Sequence, residues 1–388
     1  MFQFKEVITK SDVKDFHRVP FIIYKNDPNW IPHLMQDIDA VFDPSRNKFF
    51  KHGEVVRWVL KNEQGELIGR VAAFVNRKLS DTFKQPTGGM GFFECIENKE
   101  AAFALFAQCR EWLEARGMKA MDGPINFGEK DKFWGLLVEN FTAPNTYGMN
   151  YNPSYYKTYF EAYGFKTYYE QYVVRRPVVN AQQKFADKSA AIFANPDYHF
   201  ETISRKNLPK YAEDFRIIYN DAWGGHNNFK PMTKEQSQNI MAKLKPVMDE
   251  DIMYFGYYKK EPIAFYISIP ELNEIFKYVN GNLNWWGKIK FLYYKWKGVV
   301  RTMYSIVFGV IRSQQGKGVE GAIIKFAEKV IVPQHKYDYV ILTWIGDFNP
   351  KMLKVADNLE ATRFRTYITY RKMLDETIPF ERAPIIGE

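Results

Sequence analysis

Apolar, β-prone runs at 54–61 and 67–76 recur at 252–258 and 262–269, and each run predicts a strand. A polar turn joins each pair, Glu63-Gln64-Gly65 in the first and Lys259-Lys260-Glu261 in the second. Ahead of each pair lies a short strand pattern, at 2–8 and 198–204, and then an amphipathic helix. The first helix closes on Phe21-Ile22-Ile23-Tyr24-Lys25-Asn26-Asp27 and the second on Phe215-Arg216-Ile217-Ile218-Tyr219-Asn220-Asp221. Behind each pair come an Asn-Pro, a helix and a Phe-Lys/Arg-Thr-Tyr strand. Asn152-Pro153 leads to Phe165-Lys166-Thr167-Tyr168, and Asn349-Pro350 to Phe364-Arg365-Thr366-Tyr367. One unit is therefore written twice, with a period of about 200 residues that marks paired domains rather than a solenoid. The polar Ala/Gln/Lys-rich stretch 179–197 is the expected linker between an N-terminal domain over 1–178 and a C-terminal domain over 198–388.

Composition narrows the picture a little. A chain of 388 residues can build two ordinary cores, and 17% of it is aromatic, enough to fill cores or to line a groove for an extended apolar ligand. The formal charge of +9 suits an anionic ligand, a nucleic acid or an anionic membrane, and its even spread along the chain does not choose among them. Only Cys95 and Cys109 are present. No Cys/His spacing forms a zinc site, so no metal is expected, and a reduced cytoplasm fits. Neither Cys95 nor His226 has a triad around it, which leaves covalent catalysis unsupported. Met-Phe-Gln-Phe-Lys-Glu-Val at the start reads as neither a signal nor a transit peptide, and no apolar run reaches the roughly 20 residues of a membrane span.

Chemistry is concentrated at 310–322. Met303, Ile306, Val307, Val310 and Ile311 predict a strand, and Ala322, Ile323, Phe326 and Val330 share one face of a following helix. Between them, Gly316 and Gly318 let the backbone turn tightly and approach a ligand, while the helix start offers free N–H groups to an anion such as a pyrophosphate. An ordinary strand-to-helix turn would also account for these glycines. The Lys-Ser/Thr ending of a P-loop is absent, and no βαβ repeat supports a dinucleotide fingerprint. In the first half the corresponding loop is Ile96-Glu97-Asn98-Lys99-Glu100, glycine-free with two carboxylates, so anion binding is assigned to the second half.

Gln315-Gly316-Lys317-Gly318-Val319-Glu320-Gly321-Ala322-Ile323-Ile324 resembles the acetyl-CoA loop of the GNAT acyltransferase superfamily, with Glu320 departing from a small residue. Tyr159-Phe160-Glu161-Ala162-Tyr163-Gly164-Phe165 is similar to the end of that family's last helix; the second copy, at 355–361, lacks the tyrosine and the glycine. The ordered duplication resembles a tandem GNAT protein. The resemblance implies an α/β fold of two GNAT-like domains in tandem, each a mixed, mostly antiparallel sheet flanked by helices. It implies transfer of an acetyl or longer acyl group from acetyl-CoA or a longer acyl-CoA to a small-molecule or peptide amine. It carries cofactor contacts to Val310, Ile311, Gln315, Gly316, Lys317, Gly318, Val319, Gly321, Ala322 and Asn349. Two alternatives stay open: a Fem-type transferase using aminoacyl-tRNA, against which the missing coiled-coil arm counts, and a non-catalytic acyl-CoA-binding protein.

Acyl transfer needs a base for the amine and donors for the thioester. Candidates are Asp347 after the strand 339–345, Tyr304 on the strand entering the glycine loop, and Glu94 on the equivalent strand of the first half; capping or core roles would also explain each. The family's general-acid tyrosine would fall near Ala356, where it is absent. Finally, 285–297 carries Trp285, Trp286, Ile289, Leu292, Tyr293 and Trp296 among lysines. The expectation is that this helix packs its rings on its own domain, with peripheral membrane contact as the alternative; nucleic acid is not expected as a partner.

Overall fold

A computed structural model of the protein describes residues 2–80, 82–180, 183–224 and 230–386, with side chains omitted at 183–188 and 343; His226 lies outside them. The first half runs β1 (Gln3–Glu6), α1 (Lys10–Ile23), α2 (Met35–Val41), β2 (Gly53–Lys61), β3 (Leu67–Asn76), α3 (Arg77–Ser80), β4 (Thr87–Cys95), α4 (Lys99–Glu114), β5 (Ala120–Gly123), β6 (Leu136–Leu137), α5 (Tyr155–Ala162) and β7 (Lys166–Pro177). A helix, α6 (Gln183–Ala194), crosses to the second half. That half repeats the order: β8 (Tyr198–Thr202), α7 (Leu208–Trp223), α8 (Lys234–Leu244), β9 (Met253–Tyr258), β10 (Glu261–Pro270), α9 (Asn273–Phe276), α10 (Trp285–Trp296), β11 (Thr302–Val310), α11 (Val319–Ile331), β12 (Tyr339–Gly346), α12 (Pro350–Asn358) and β13 (Thr362–Met373).

All strands share one mixed, mostly antiparallel sheet, ordered β1-β2-β3-β4-β5-β13-β7-β12-β11-β10-β9-β8, with β6 paired to β13. The two halves exchange their last strands. β13, at the end of the chain, pairs with β5 of the first half, and β7 of the first half pairs with β12 of the second. β7 and β13 lie side by side and join the halves. A buried bidentate ion pair locks the exchange: Arg371 on β13 meets Asp122 on β5, with Nε to Oδ1 at 2.6 Å and Nη2 to Oδ2 at 2.8 Å.

Strand alternation sorts the helices onto two faces. On β9, Phe255 joins the core that α7 covers, while its neighbour Tyr254 joins the core that α11 covers. On β3, Phe74 faces the α1 side and Val75 the α4 side. β3 is buried along its whole length, which suits its mostly apolar sequence, and the one charged residue in it, Arg70, is paired with Glu94. Helix starts are closed locally. Thr9 and Thr233 form capping boxes with Asp12 and Gln236, and Asn98 accepts the N–H of Ala101.

Candidate active site

β11 and β12 run parallel but pair only over Thr302–Ser305 and Tyr339–Leu342. On the other side of β11, the register with β10 skips Ile306: Ser268 lies opposite Ser305 and Ile267 opposite Val307. The bulge bends β11 away, and from Ile306 to Val310 it has no strand partner towards β12. A wedge opens between the strands. Backbone groups facing a wedge need partners from elsewhere, and an extended ligand with amides of its own can supply them.

The wedge leads to the glycine turn. Gln315 donates its side-chain N–H to the carbonyl of Val310 at 2.9 Å and closes the strand end. Gly316 takes φ 74° and Gly318 φ 96°, values in the left-handed region that only glycine adopts freely. Gly318 is the N-cap of α11 and no side chain caps the helix there. A Cβ on Gly316 would meet nothing within 4 Å, so the turn faces open space. Lys317 is exposed beside it. Val319, Gly321 and Ala322 are buried and seat the helix on the sheet, while Val310 packs in the same cluster with Ile311 at its edge. The odd carboxylate of the motif, Glu320, accepts the N–H of Gly316 at 3.1 Å and so occupies one donor of the turn.

The first half is built differently at the matching place. Only 96–98 join β4 to α4, the Asn98 side chain takes the N–H of Ala101 at 2.8 Å, and the Tyr156 hydroxyl accepts the N–H of Cys95 at 2.6 Å. Helix start and strand end are both satisfied from within.

Towards α12 the wedge continues as an apolar cleft of about 90 Å³. Tyr266, Phe308, Ile324, Leu342, Val355 and Leu359 line it. Ala356 is 3% exposed and packs on Val174 and Ile345. Asn349 caps α12, its Oδ1 accepting the N–H of Met352 at 3.3 Å.

The three candidate catalytic residues lie far apart. Tyr304 sits on β11 two residues before the bulge, and burial pushes its hydroxyl well up, with Glu271 and Tyr367 adding to the effect. It stays a protonated donor. Asp347 lies six residues beyond Ile341, the partner of Tyr304, or roughly 20 Å along the strand direction. Its carboxylate is paired with Arg382 and its N–H goes to the Glu170 carbonyl at 3.0 Å, so it fastens the C-terminal tail. Glu94 lies on β4, five strands from β11 and so about 24 Å away across the sheet. It receives the hydroxyls of Tyr24 at 2.6 Å and Tyr156 at 3.2 Å and an ion pair from Arg70 at 3.5 Å. Burial raises its carboxyl pKa, and the surrounding donors oppose the rise. Burial also pushes the neighbouring Cys95 thiol up to about 12, leaving it inert.

Sequence reasoning missed Glu271, which follows β10 directly. Its Oε1 accepts the N–H groups of Tyr147 at 2.7 Å and Asn273 at 3.0 Å, and its buried Oε2 has no partner. Burial pushes this carboxyl up to about 8. A lone carboxylate straight after an apolar strand, Ile267-Ser268-Ile269-Pro270-Glu271, was the available signal.

The structure corrects the expectation for 285–297. Trp285, Trp286, Leu292 and Trp296 are 71%, 69%, 64% and 83% exposed, so the rings do not pack on the domain. The opposite side of α10 faces the protein instead. Tyr294 stacks on Tyr278 with centroids 3.7 Å apart, Phe291 lies 5.7 Å from Phe276, and Gly287 is buried. Lys295 also donates to the Pro246 carbonyl at 2.6 Å, so a narrow inward stripe is enough to seat the helix.

No family model matches the chain. Two curated proteins align over nearly its whole length. Protein YghO of Escherichia coli K12 is 24% identical over 370 residues, covering 95% of this chain and 94% of that protein. Bacterial ceramide synthase of Caulobacter vibrioides is 26% identical over 378 residues, covering 95% and 96%. Among solved structures, a tandem GNAT protein from the clavulanic acid biosynthesis pathway superposes with a TM-score of 0.55 at 10% identity, covering 98% of this chain and all of that one. The GCN5-related glucosamine N-acetyltransferase region of a fungal multi-domain β-N-acetylglucosaminidase gives 0.55 at 11% identity, over 96% of this chain and 38% of that one. The fold is that of tandem GNAT proteins, as the motif order implied.

Proposed function

We propose that the protein is an acyl-CoA-dependent N-acyltransferase whose amine acceptor is a long-chain lipid amine. The observation that carries the reading is the wedge between β11 and β12, which ends at a glycine turn and a helix start without a side-chain cap. An acyl-CoA has the matching shape: an extended, amide-bearing arm with a pyrophosphate at one end. Gly316, Lys317 and Gly318 would hold the pyrophosphate and residues 306–310 the arm. The lining of the cleft beneath α11 and α12 is apolar, which suits the hydrocarbon of an acyl chain.

The amine nitrogen attacks the thioester carbonyl, the C–S bond breaks, and the proton lost by the amine balances the thiolate that leaves. Tyr304, held protonated beside the bulge, is the side chain assigned to donate to that thiolate. The acceptor class draws on the full-length likeness to a ceramide synthase, since a ceramide is an amide of a long-chain amino alcohol.

Release of free CoA thiol, measured over acyl-CoA donors from acetyl to stearoyl with sphingoid bases and with polar amines, tests the reading. Turnover is expected only with long-chain amines. Gly318→Val should abolish it by forcing a β-branched residue into a left-handed turn. Turnover confined to polar amines would overturn the acceptor, and full activity in Gly318→Val would overturn the donor site.

A further inference from the structure

On a helix advancing about 100° per residue, Trp285, Trp286, Ile289, Leu292, Tyr293 and Trp296 of α10 fall within an arc of about 120°. All six are exposed. Lys290 and Lys297 fall along one border of that arc and Lys288 and Lys295 along the other, while Gly287, Phe291 and Tyr294 occupy the protein side. Inward seating is tight, because a Cβ on Gly287 would lie 2.2 Å from the carbonyl oxygen of Asn282. Between Ile275 and Val300 the chain has five lysines and no acidic residue. Lys288, Lys290 and Lys297 form no ion pair among the described residues. The helix thus holds an apolar stripe outward between two cationic borders.

We propose that α10 docks the protein on an anionic lipid bilayer, lying in the plane of the headgroups with its tryptophans and Leu292 inserted. Charge complementarity selects this occupant. Two copies stacked on the stripe would oppose Lys288, Lys290 and Lys297 with the same three lysines, Lys295 being held by the Pro246 carbonyl at 2.6 Å. A nucleic acid would satisfy the lysines but gains nothing from Ile289 at the stripe's centre or Leu292 at its edge. A bilayer meets both demands, with hydrocarbon under the stripe and anionic headgroups along the borders. Tryptophan and tyrosine also suit this depth, each with an apolar ring and a polar edge. No helix among the described residues is long and apolar enough to cross a membrane, so the contact is peripheral.

Docking here also orients the molecule. The inner edge of α10 borders a cavity of about 320 Å³ of mixed character, lined by Leu272, Phe291 and Tyr337 and by the charged Arg205, Asp249 and Lys336. Tyr337 packs with Met303 and Val340, and these two also line the apolar cleft of the second half. A bilayer-docked α10 therefore holds this cavity, and the packed cluster that separates it from the cleft, close to the membrane surface.

The test is co-sedimentation of the full chain with vesicles of phosphatidylcholine alone and of phosphatidylcholine with an equal part of phosphatidylglycerol. Binding is expected to the mixed vesicles, weakening with salt. Lys288→Gln/Lys290→Gln/Lys297→Gln should lose affinity by about fivefold per lysine. Trp285→Ser/Trp296→Ser should lose at least about tenfold, because two large rings no longer leave water. The melting temperature of each variant reports folding. Quenching of wild-type tryptophan fluorescence by brominated lipid reads insertion without any variant. Absent quenching, or vesicle binding unchanged in both variants, would overturn the proposal. So would self-association that Trp285→Ser/Trp296→Ser abolishes, which makes a second copy the occupant, or RNA binding lost only in the lysine variant, which makes it a nucleic acid.

Discussion

Two carboxylates show how neighbours decide what a residue does. Glu320 looks hostile to a pyrophosphate in sequence, yet in the structure it holds the N–H of Gly316, a donor the ligand would otherwise take. Removing it frees the donor and lifts a negative charge from the helix start. Glu320→Ala is therefore expected to bind long-chain acyl-CoA about two- to fivefold more tightly by calorimetry. Weaker binding would mean that Glu320 maintains the shape of the turn. Glu271 drew no notice in sequence because part of its character comes from far along the chain: the N–H of Tyr147 meets it there, beside that of the nearby Asn273. Its carboxyl moves from 4.5 to about 8 on folding. The folded state thus holds a proton that the unfolded state releases. The resulting stability is present in full below about 4.5 and is lost progressively as pH rises towards about 8. Glu271→Gln keeps the two accepted hydrogen bonds and carries no titrating proton. Chemical denaturation from pH 5 to pH 8 should show a flatter stability profile for the variant, with a difference of a few kcal/mol across the range. Parallel profiles would place the shift in another group.

At the scale of elements, local patterns were the legible part. The strands foreseen at 67–76 and 262–269 form over Leu67–Asn76 and Glu261–Pro270, and those foreseen at 54–61 and 252–258 form over Gly53–Lys61 and Met253–Tyr258. The strand, glycine turn and helix at 302–331 also appear in order. Periodicity revealed these because it reports which side of an element avoids water. It does not report what covers that side, and α10 is the case in point: its stripe was read as core and faces outward. Trp296→Ala should therefore shift the denaturation free energy by no more than about 0.5 kcal/mol, as for an exposed site. Tyr294→Ala, which removes the stack on Tyr278, should cost at least about 1 kcal/mol. Equal losses in both would return Trp296 to the core.

The arrangement of the whole molecule was not legible, for a reason in the sequence itself. The strands that exchange places carry nearly the same residues, Lys166-Thr167-Tyr168 in β7 and Arg365-Thr366-Tyr367 in β13. A local pattern shared by both strands cannot say which neighbour each one takes. The exchange nevertheless governs how the wedge is built, because β12 is flanked on its closed side by β7 from the other half. A C-terminal piece beginning at residue 180 would present β12 with a bare edge, and an N-terminal piece ending at residue 179 would lack β13 beside β5. It would also leave Asp122 buried without Arg371, and an uncompensated buried charge costs about 3–5 kcal/mol. Neither half should therefore fold alone, even though the sequence repeats. Splitting the chain between Val179 and Asn180 tests this at a point outside both β7 and α6. Expressed separately, the two pieces should be insoluble or bind no acyl-CoA. Expressed together, they should co-purify one to one and regain acyl-CoA-dependent thermal stabilisation, because the exchanged strands can still pair. A C-terminal piece that alone shows the stabilisation of the intact chain would mean that β7 is dispensable to the wedge.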